Sequence, residues 1–313
     1  MKIEHLQGLI AAPFTPFDKN GDVNLSIIPG YYRFLKHNNV TGAFICGSTG
    51  EGVSMTVDEK KRVAEAWGKC TIDDPEFKVM TLLGGNNIIE CKELARHAAE
   101  TGLYAVSFTS PSYFKPRTVG ILAEMCKEIA AVAPGMPFYY YHIPVLTGAG
   151  FEMISLLEAV HNSIPNFAGI KYTHEDFMDF QTCMNFADSR YDMLWGRDEN
   201  MLSALALGAK GAVGSTFNYA APLYCDMITA FDKNDLVTAQ QLQQKSIDMI
   251  RLLGKYGGIS VGKAYMKLIG IDCGGFRLPV KNMNEAEFEM FKLDVAKLEF
   301  DVFKSCHPVN VPE

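Results

Sequence analysis

The chain has 313 residues, 48% of them hydrophobic, and 29 basic against 36 acidic side chains leave a formal charge of −7. That supplies a large core, either as two domains of ordinary size or as one α/β barrel with an extension. The acidic balance, with no run of five or more basic residues, argues against a nucleic-acid partner and for a small molecule.

The N-terminus lacks a basic segment followed by a long apolar run, so no secretory signal is expected. Short apolar runs ending in polar or glycine-rich turns then recur at 9–14, 42–48, 78–85, 105–111, 137–143, 167–173, 192–198 and 212–217. Helical patterns separate them. Thr56-Val57-Asp58-Glu59 reads as a capping box that opens a helix running through Trp67. Over 88–101, Cys91, Leu94, Ala95 and Ala98 repeat at helical spacing, and Gly102 is placed to end that helix. Residues 129–151 carry no Asp, Glu, Lys or Arg, but three prolines and three glycines cut them into pieces too short to span a membrane. After about Tyr219 the pattern is helical only, at 236–256, 263–269 and 284–304.

Eight strand-like runs alternating with helices predict an α/β protein of the (β/α)8 TIM-barrel class. The barrel would occupy 1–225 and a C-terminal helical extension 226–313. A doubly wound dinucleotide fold competes, but no G-x-G-x-x-G follows the first strand. The eight cysteines (Cys46, Cys70, Cys91, Cys126, Cys183, Cys225, Cys273, Cys306) form no C-x-x-C pair. Such scatter predicts reduced, mostly buried thiols and a cytoplasmic protein.

Chemistry in such a barrel sits at the C-terminal ends of the strands. The second run ends in Gly47-Ser48-Thr49-Gly50-Glu51-Gly52, whose flexible backbone N–H groups and two hydroxyls suit a carboxylate, although an ordinary turn also uses glycine. The fifth run holds Tyr139, Tyr140, Tyr141 and His142. Alternation puts Tyr139 and Tyr141 on one face and Tyr140 and His142 on the other. The sixth carries Lys171, which must either reach out to water or be buried with a shifted pKa. If it faces inward, so do Gly169, which would leave room for a ligand, and Thr173.

The seventh run ends in Gly196-Arg197-Asp198-Glu199. These carboxylates would either bind sugar hydroxyls or merely cap the following helix. The eighth ends in Gly214-Ser215-Thr216. The seven histidines form no zinc pattern, and a G-x-S-x-G elbow is absent. Lysine chemistry on a carbonyl remains.

These residues resemble the dihydrodipicolinate synthase/N-acetylneuraminate lyase superfamily: GSTGE after the second strand, Tyr-x-Ile-Pro after the fifth and a barrel lysine in Gly-Ile-Lys. The resemblance covers essentially the whole chain. Three features are similar to the lyase branch. Leu146 stands where the synthase branch usually has a carboxylate-binding arginine, and Lys171-Tyr172-Thr173 replaces the synthase Lys-Glu-Ala/Ser. The third is the trio of Gly196-x-Asp198-Glu199, Ser203-Ala204-Leu205 and Gly211-Ala212-Val213-Gly214-Ser215-Thr216. His142, where the family normally has asparagine, is a departure expected to affect packing only.

The resemblance implies a class I aldolase cleaving N-acetylneuraminate to pyruvate and N-acetylmannosamine, without a metal or organic cofactor. Lys171 would form the Schiff base and Tyr141 shuttle the proton, with Thr49 as relay partner. Ser48 and Thr49 would bind the carboxylate, and Thr173, Gly196, Asp198, Glu199 and Ser215 the polyol. An unperturbed lysine is only about one part in 2,500 neutral at pH 7; lowering its pKa to ~7 destabilises the ammonium by roughly 4–5 kcal/mol. Tyr113, just beyond the fourth strand, would reach a neighbouring subunit's site in a homotetramer. The alternatives are a lyase for another 2-keto-3-deoxy sugar acid, a synthase-like pyruvate-condensing enzyme and a non-catalytic metabolite binder.

Overall fold

The computed structural model describes residues 2–307. Eight parallel strands close in chain order into one barrel: β1 (Gly8–Ala11), β2 (Val40–Ile45), β3 (Lys78–Leu82), β4 (Ala105–Thr109), β5 (Phe138–His142), β6 (Phe167–Tyr172), β7 (Asp192–Trp195) and β8 (Gly211–Gly214). β8 pairs back onto β1, so no sheet edge is left open. Each apolar run overlaps one strand. Most runs overshoot their strand at the C-terminal end, because the apolar pattern continues into the turns that rim the barrel. This is a (β/α)8 TIM barrel.

The strands bury both faces, and side-chain alternation sorts the residues between two cores. Phe44, Met80, Leu82, Tyr139, Tyr141, Leu194 and Val213 fill the barrel, whereas Ile45, Val79, Tyr140, Ile170, Tyr172 and Trp195 face the surrounding helices. The split expected for β5 is therefore the one observed. β6 carries a register irregularity against β5: Phe138 pairs with Phe167, but Tyr139 pairs with Gly169, leaving Ala168 unmatched. Beyond it, Tyr141 lies directly opposite Lys171.

Gly169 does not open space for a ligand, contrary to the sequence reading. A Cβ there would overlap the backbone carbonyl of Asp192, so this glycine lets β6 and β7 approach.

The helix signals are local and hold. Thr56 and Glu59 bond reciprocally at the start of the helix Val57–Thr71. Asn87 caps Ile88–Glu100, which ends before Gly102 at φ +71°. The charge-free stretch 129–151 divides into the end of the helix Val119–Ala130, strand β5 and the short helix Pro144–Thr147. Among the described residues no helix is long and apolar enough to cross a membrane. All eight cysteines are free thiols, five of them buried.

The 225/226 division falls inside the helix Phe217–Asp232, which runs from the barrel rim into the extension. Leu236–Lys255, Val261–Leu268 and Glu285–Lys297 follow. The single helix expected over 284–304 stops at Lys297, because Glu299 turns left-handed (φ 55°) before a short 3-10 turn, Phe300–Val302.

The extension is tied to the barrel through a buried ion pair. Lys263 Nζ donates to Glu51 Oε1 at 2.8 Å, both side chains being 3% exposed, and the Arg277 backbone N–H donates to Glu51 Oε2 at 2.9 Å. Glu51 of the GSTGE turn is thus an anchor for the turn.

Candidate active site

The C-terminal rim of the barrel opens into a cavity of about 360 Å3. Lys171 stands at its base, 4% exposed, with Nζ 4.0 Å from the centroid of Phe44 and 4.1 Å from that of Tyr141. Burial lowers the amine from its ordinary 10.5 to about 7, and Asp198 opposes that only through space.

Tyr141 reaches the same cavity. Burial pushes its phenol above the ordinary value, while the neighbouring Ser48 and Thr173 hydroxyls draw it back. Those two hydroxyls lie near the phenol, and Thr49, also buried, lines the same cavity. Ser48, the residue before Thr49 in the turn, brings a second hydroxyl of that turn beside Tyr141. Thr173 Oγ1 is buried with no hydrogen-bond partner, a donor left over for a ligand. Gly196 is required beside it, because a Cβ there would overlap Thr173 Oγ1.

Asp198 is not a helix cap. Arg197 holds the N-cap position of the short 3-10 turn Asp198–Asn200 without a side-chain bond. Asp198 Oδ2 instead accepts from the Thr216 backbone N–H at 2.9 Å and from Thr216 Oγ1 at 2.6 Å. Burial raises its carboxyl to about 6, with Thr216 opposing. Glu199 lies at the rim, accepting from Arg197 Nη2 at 2.7 Å, and the same guanidinium pairs with Glu175 at 2.7 Å. Ser215 completes the lining from the end of β8.

The structure thus gathers Lys171, Tyr141, Thr49, Thr173, Gly196, Asp198, Glu199 and Ser215 around one cavity, with Ser48 beside Tyr141. Tyr113 is not among them. It is 81% exposed, its ring edge-on to that of Phe114, itself 85% exposed.

Sequence reasoning missed Arg197, Thr216 and a wall of Ile250, Leu253, Gly258 and Ile259 from the extension. The wall had no signal, since apolar residues on an extension helix read as core. His142 packs outside the barrel among Tyr140, Tyr172 and His174. Burial holds its imidazole down at about 3, so it is neutral and takes no part in the cavity.

Among the described residues no group of three or more His, Cys, Asp or Glu is arranged to hold a metal. The arrangement can form a Schiff base with a carbonyl, move a proton beside it, and hydrogen-bond a polar chain extending from it.

The family model for the Dihydrodipicolinate synthetase family matches residues 5–298. The N-acetylneuraminate lyase of Homo sapiens is 40% identical over 315 residues, covering 98% of this chain and 97% of that protein. That of Rattus norvegicus is 40% identical over 287 residues, covering 90% and 88%. The solved structure of Proteus mirabilis N-acetylneuraminate lyase matches with a TM-score of 0.92 at 38% identity, over 95% of this chain and 100% of that one. On a match that spans the barrel and most of its extension, this chain belongs to the dihydrodipicolinate synthetase family.

Proposed function

We propose that this chain is a class I aldolase that cleaves N-acetylneuraminate to pyruvate and N-acetylmannosamine, with Lys171 as the nucleophile. The Lys171 amine carries the reading: it is buried, has no carboxylate at bonding distance among the described residues, is lowered by burial to about 7 and faces a cavity lined with hydroxyls. Relatives named N-acetylneuraminate lyase single out that sugar acid as the substrate.

The free amine attacks the C2 ketone of the open-chain sugar acid, and loss of water leaves a protonated imine. The iminium takes up the electron pair of the C3–C4 bond as it breaks. The C4 hydroxyl loses its proton and N-acetylmannosamine leaves as the aldehyde. The enamine left on Lys171 is protonated at C3, and water hydrolyses the imine to release pyruvate and restore the amine. Tyr141, kept protonated by burial, accepts the C4 proton as it passes its own to the Ser48 hydroxyl. Ser48 gives up its proton in turn, and the proton lost at C4 is thereby returned to C3 of the enamine. Ser48 and Thr49, with the backbone N–H groups of their turn, hold the carboxylate. Thr173, Gly196, Asp198, Glu199 and Ser215 meet the polyol. No metal or organic cofactor enters the scheme.

Tyr113 reaches the site of a second copy, in a homotetramer of two C2 pairs that exchange this tyrosine. Its exposure supports this, together with that of Phe114 on the loop after β4 and of Val145 and Leu146 on the short helix after β5. Free thiols throughout the chain support a cytoplasmic setting. Mixing Lys171→Ala with Tyr113→Phe subunits restores activity if the tyrosine crosses the boundary; confirmed hybrids without activity refute it.

The test of the reaction is borohydride reduction with pyruvate, followed by mass spectrometry. An adduct on Lys171 is expected, and equal trapping by Lys171→Ala overturns the assignment. Pyruvate release from N-acetylneuraminate is compared with release from 2-keto-3-deoxygluconate. Preference for the latter moves the substrate to another sugar acid, and release from neither leaves a binding protein.

A further inference from the structure

A buried chain of hydroxyls runs from Asp198 into the extension, and the scheme above leaves it without a role. Thr216 Oγ1 lies 2.6 Å from Asp198 Oδ2 and 2.6 Å from the Tyr224 hydroxyl, which lies 2.7 Å from Ser246 Oγ. Asp198 comes from the turn after β7, Thr216 from the rim after β8, Tyr224 from the helix Phe217–Asp232 and Ser246 from Leu236–Lys255. Thr216 is 1% exposed, and Tyr224 and Ser246 are 0% exposed, so water cannot exchange into these bonds.

Proton counting orders the chain. A carboxylate has no proton to give, so Thr216 must spend its single hydroxyl proton on Oδ2. It can then meet Tyr224 only as an acceptor, and Tyr224 must donate. The Tyr224 oxygen is left to accept from Ser246. Every proton points toward Asp198. With the Thr216 backbone N–H added, Oδ2 accepts two hydrogen bonds within the protein.

The carboxylate also lies flat against β8, where a Cβ on Gly214 would overlap its Oδ1. Oδ2 is therefore committed to the protein, and Oδ1 is the oxygen available to a ligand. In the cavity that oxygen is an acceptor, suited to a hydroxyl and unsuited to an ether or carbonyl oxygen in the same place.

We infer that Tyr224 and Ser246, outside the cavity, are positioning residues that fix the orientation and acceptor state of Asp198 and thereby the enzyme's preference for a free hydroxyl on the sugar half of its substrate. The inference rests on the proposed contact between Asp198 and the polyol. It concerns the half of the substrate that becomes the aldehyde, so pyruvate chemistry at Lys171 lies outside its reach.

The test compares Tyr224→Phe, Ser246→Ala, Asp198→Asn and the double variant Asp198→Asn/Tyr224→Phe with the wild type. Each is assayed for kcat and KM on N-acetylneuraminate and for the rate of borohydride trapping with pyruvate. Tyr224→Phe removes the donor to Thr216 without changing shape, and is expected to lower kcat/KM about tenfold with pyruvate trapping unchanged. Ser246→Ala, one link further away, lowers it about threefold and carries the test if Tyr224→Phe fails to fold.

In the Asp198→Asn background the tyrosine change adds nothing, because the charge it serves is gone. A general structural role would instead persist there. Trapping that falls in step with cleavage, or a full tenfold loss in the double variant, overturns the inference. So do variants that cleave normally while the wild type does. If the wild type traps pyruvate but does not cleave N-acetylneuraminate, the substrate reading fails. The same series is then run on the sugar acid that it does cleave, where the same split is expected.

Discussion

Of the three buried lysines among the described residues, two lie deepest: Lys171 on β6, 4% exposed, and Lys263 on the helix Val261–Leu268, 3% exposed, against 9% for Lys60. Each has its Nζ over two aromatic rings, Phe44 and Tyr141 at 4.0 and 4.1 Å, and Phe17 and Phe276 at 4.5 and 4.8 Å. They differ in their partners. Lys263 donates to Glu51 at 2.8 Å and to the Gly275 carbonyl at 2.9 Å. Lys171 has only Asp198 acting at a distance.

Burial lowers both amines, but Glu51 works against it at Lys263, and at Lys171 the value falls to about 7. Aromatic neighbours and burial therefore do not make a nucleophile. At Lys171 the burial is deeper than at any other described lysine without a contacting carboxylate, and nothing there repays the ammonium for its lost hydration.

The sharpest way to break this comparison is to remove each amine in turn. Lys171→Met is expected to abolish pyruvate trapping, by at least about a thousandfold, whereas Lys263→Met should still trap pyruvate on Lys171. Mass spectrometry of the reduced adduct reads both, and an adduct that moved to Lys263 would erase the distinction.

Next comes the partner. Glu51→Gln strands a charged amine in the interior and is expected to destabilise the fold by about 3–5 kcal/mol, whereas Glu51→Met with Lys263→Met should recover most of that loss. Urea unfolding measures it. A single variant as stable as the wild type shows that the pair is not an anchor.

The pH dependence sharpens the comparison further. The folded chain holds Lys171 below its unfolded value of 10.5, so it binds fewer protons than the unfolded chain between about pH 7 and 10.5. The stability penalty is full below pH 7 and is relieved as the pH rises through that window. Lys171→Met should therefore stabilise the protein at pH 6, by up to about 4 kcal/mol, with a gain that shrinks by pH 10. Over the same range of protonation, the wild-type trapping rate should fall about fivefold from pH 7 to pH 6, approaching about tenfold per pH unit further into the acidic limb. A rate flat from pH 5 to 9 contradicts the lowered amine.

The smallest effect is expected at His142. Neutral, buried and packed outside the barrel, it should tolerate His142→Asn with less than about 1 kcal/mol change in stability and no change in trapping rate. A large loss of trapping would place it in the catalytic machinery after all.

Much of the molecule was legible before any coordinates. The eight strands follow from apolar runs bounded by turns. The opposite faces of Tyr141 and His142 follow from the two-residue strand repeat. The Thr56–Glu59 box and Gly102 mark helix ends by chemistry confined to a few residues. What escaped depends on residues far apart in the chain. Gly169 looked like space for a ligand until β7 filled it. Asp198 looked like a cap until Thr216, 18 residues on, claimed its oxygen. Ile250, Leu253 and Ile259 looked like core and instead wall the cavity.

The sequence by itself determined the barrel, its helical extension and the opposite faces of Tyr141 and His142, because side-chain periodicity and caps operate over a handful of neighbouring residues. Only the tertiary structure decided that Lys171 would face inward opposite Tyr141, that it would lack a carboxylate while Lys263 gained one, and that Asp198 would keep one oxygen free. Those outcomes are set by desolvation and by how a fixed number of protons is shared. Both depend on atoms that β2, β5, β6, β7, β8 and the extension bring within a few ångströms only once the barrel has closed.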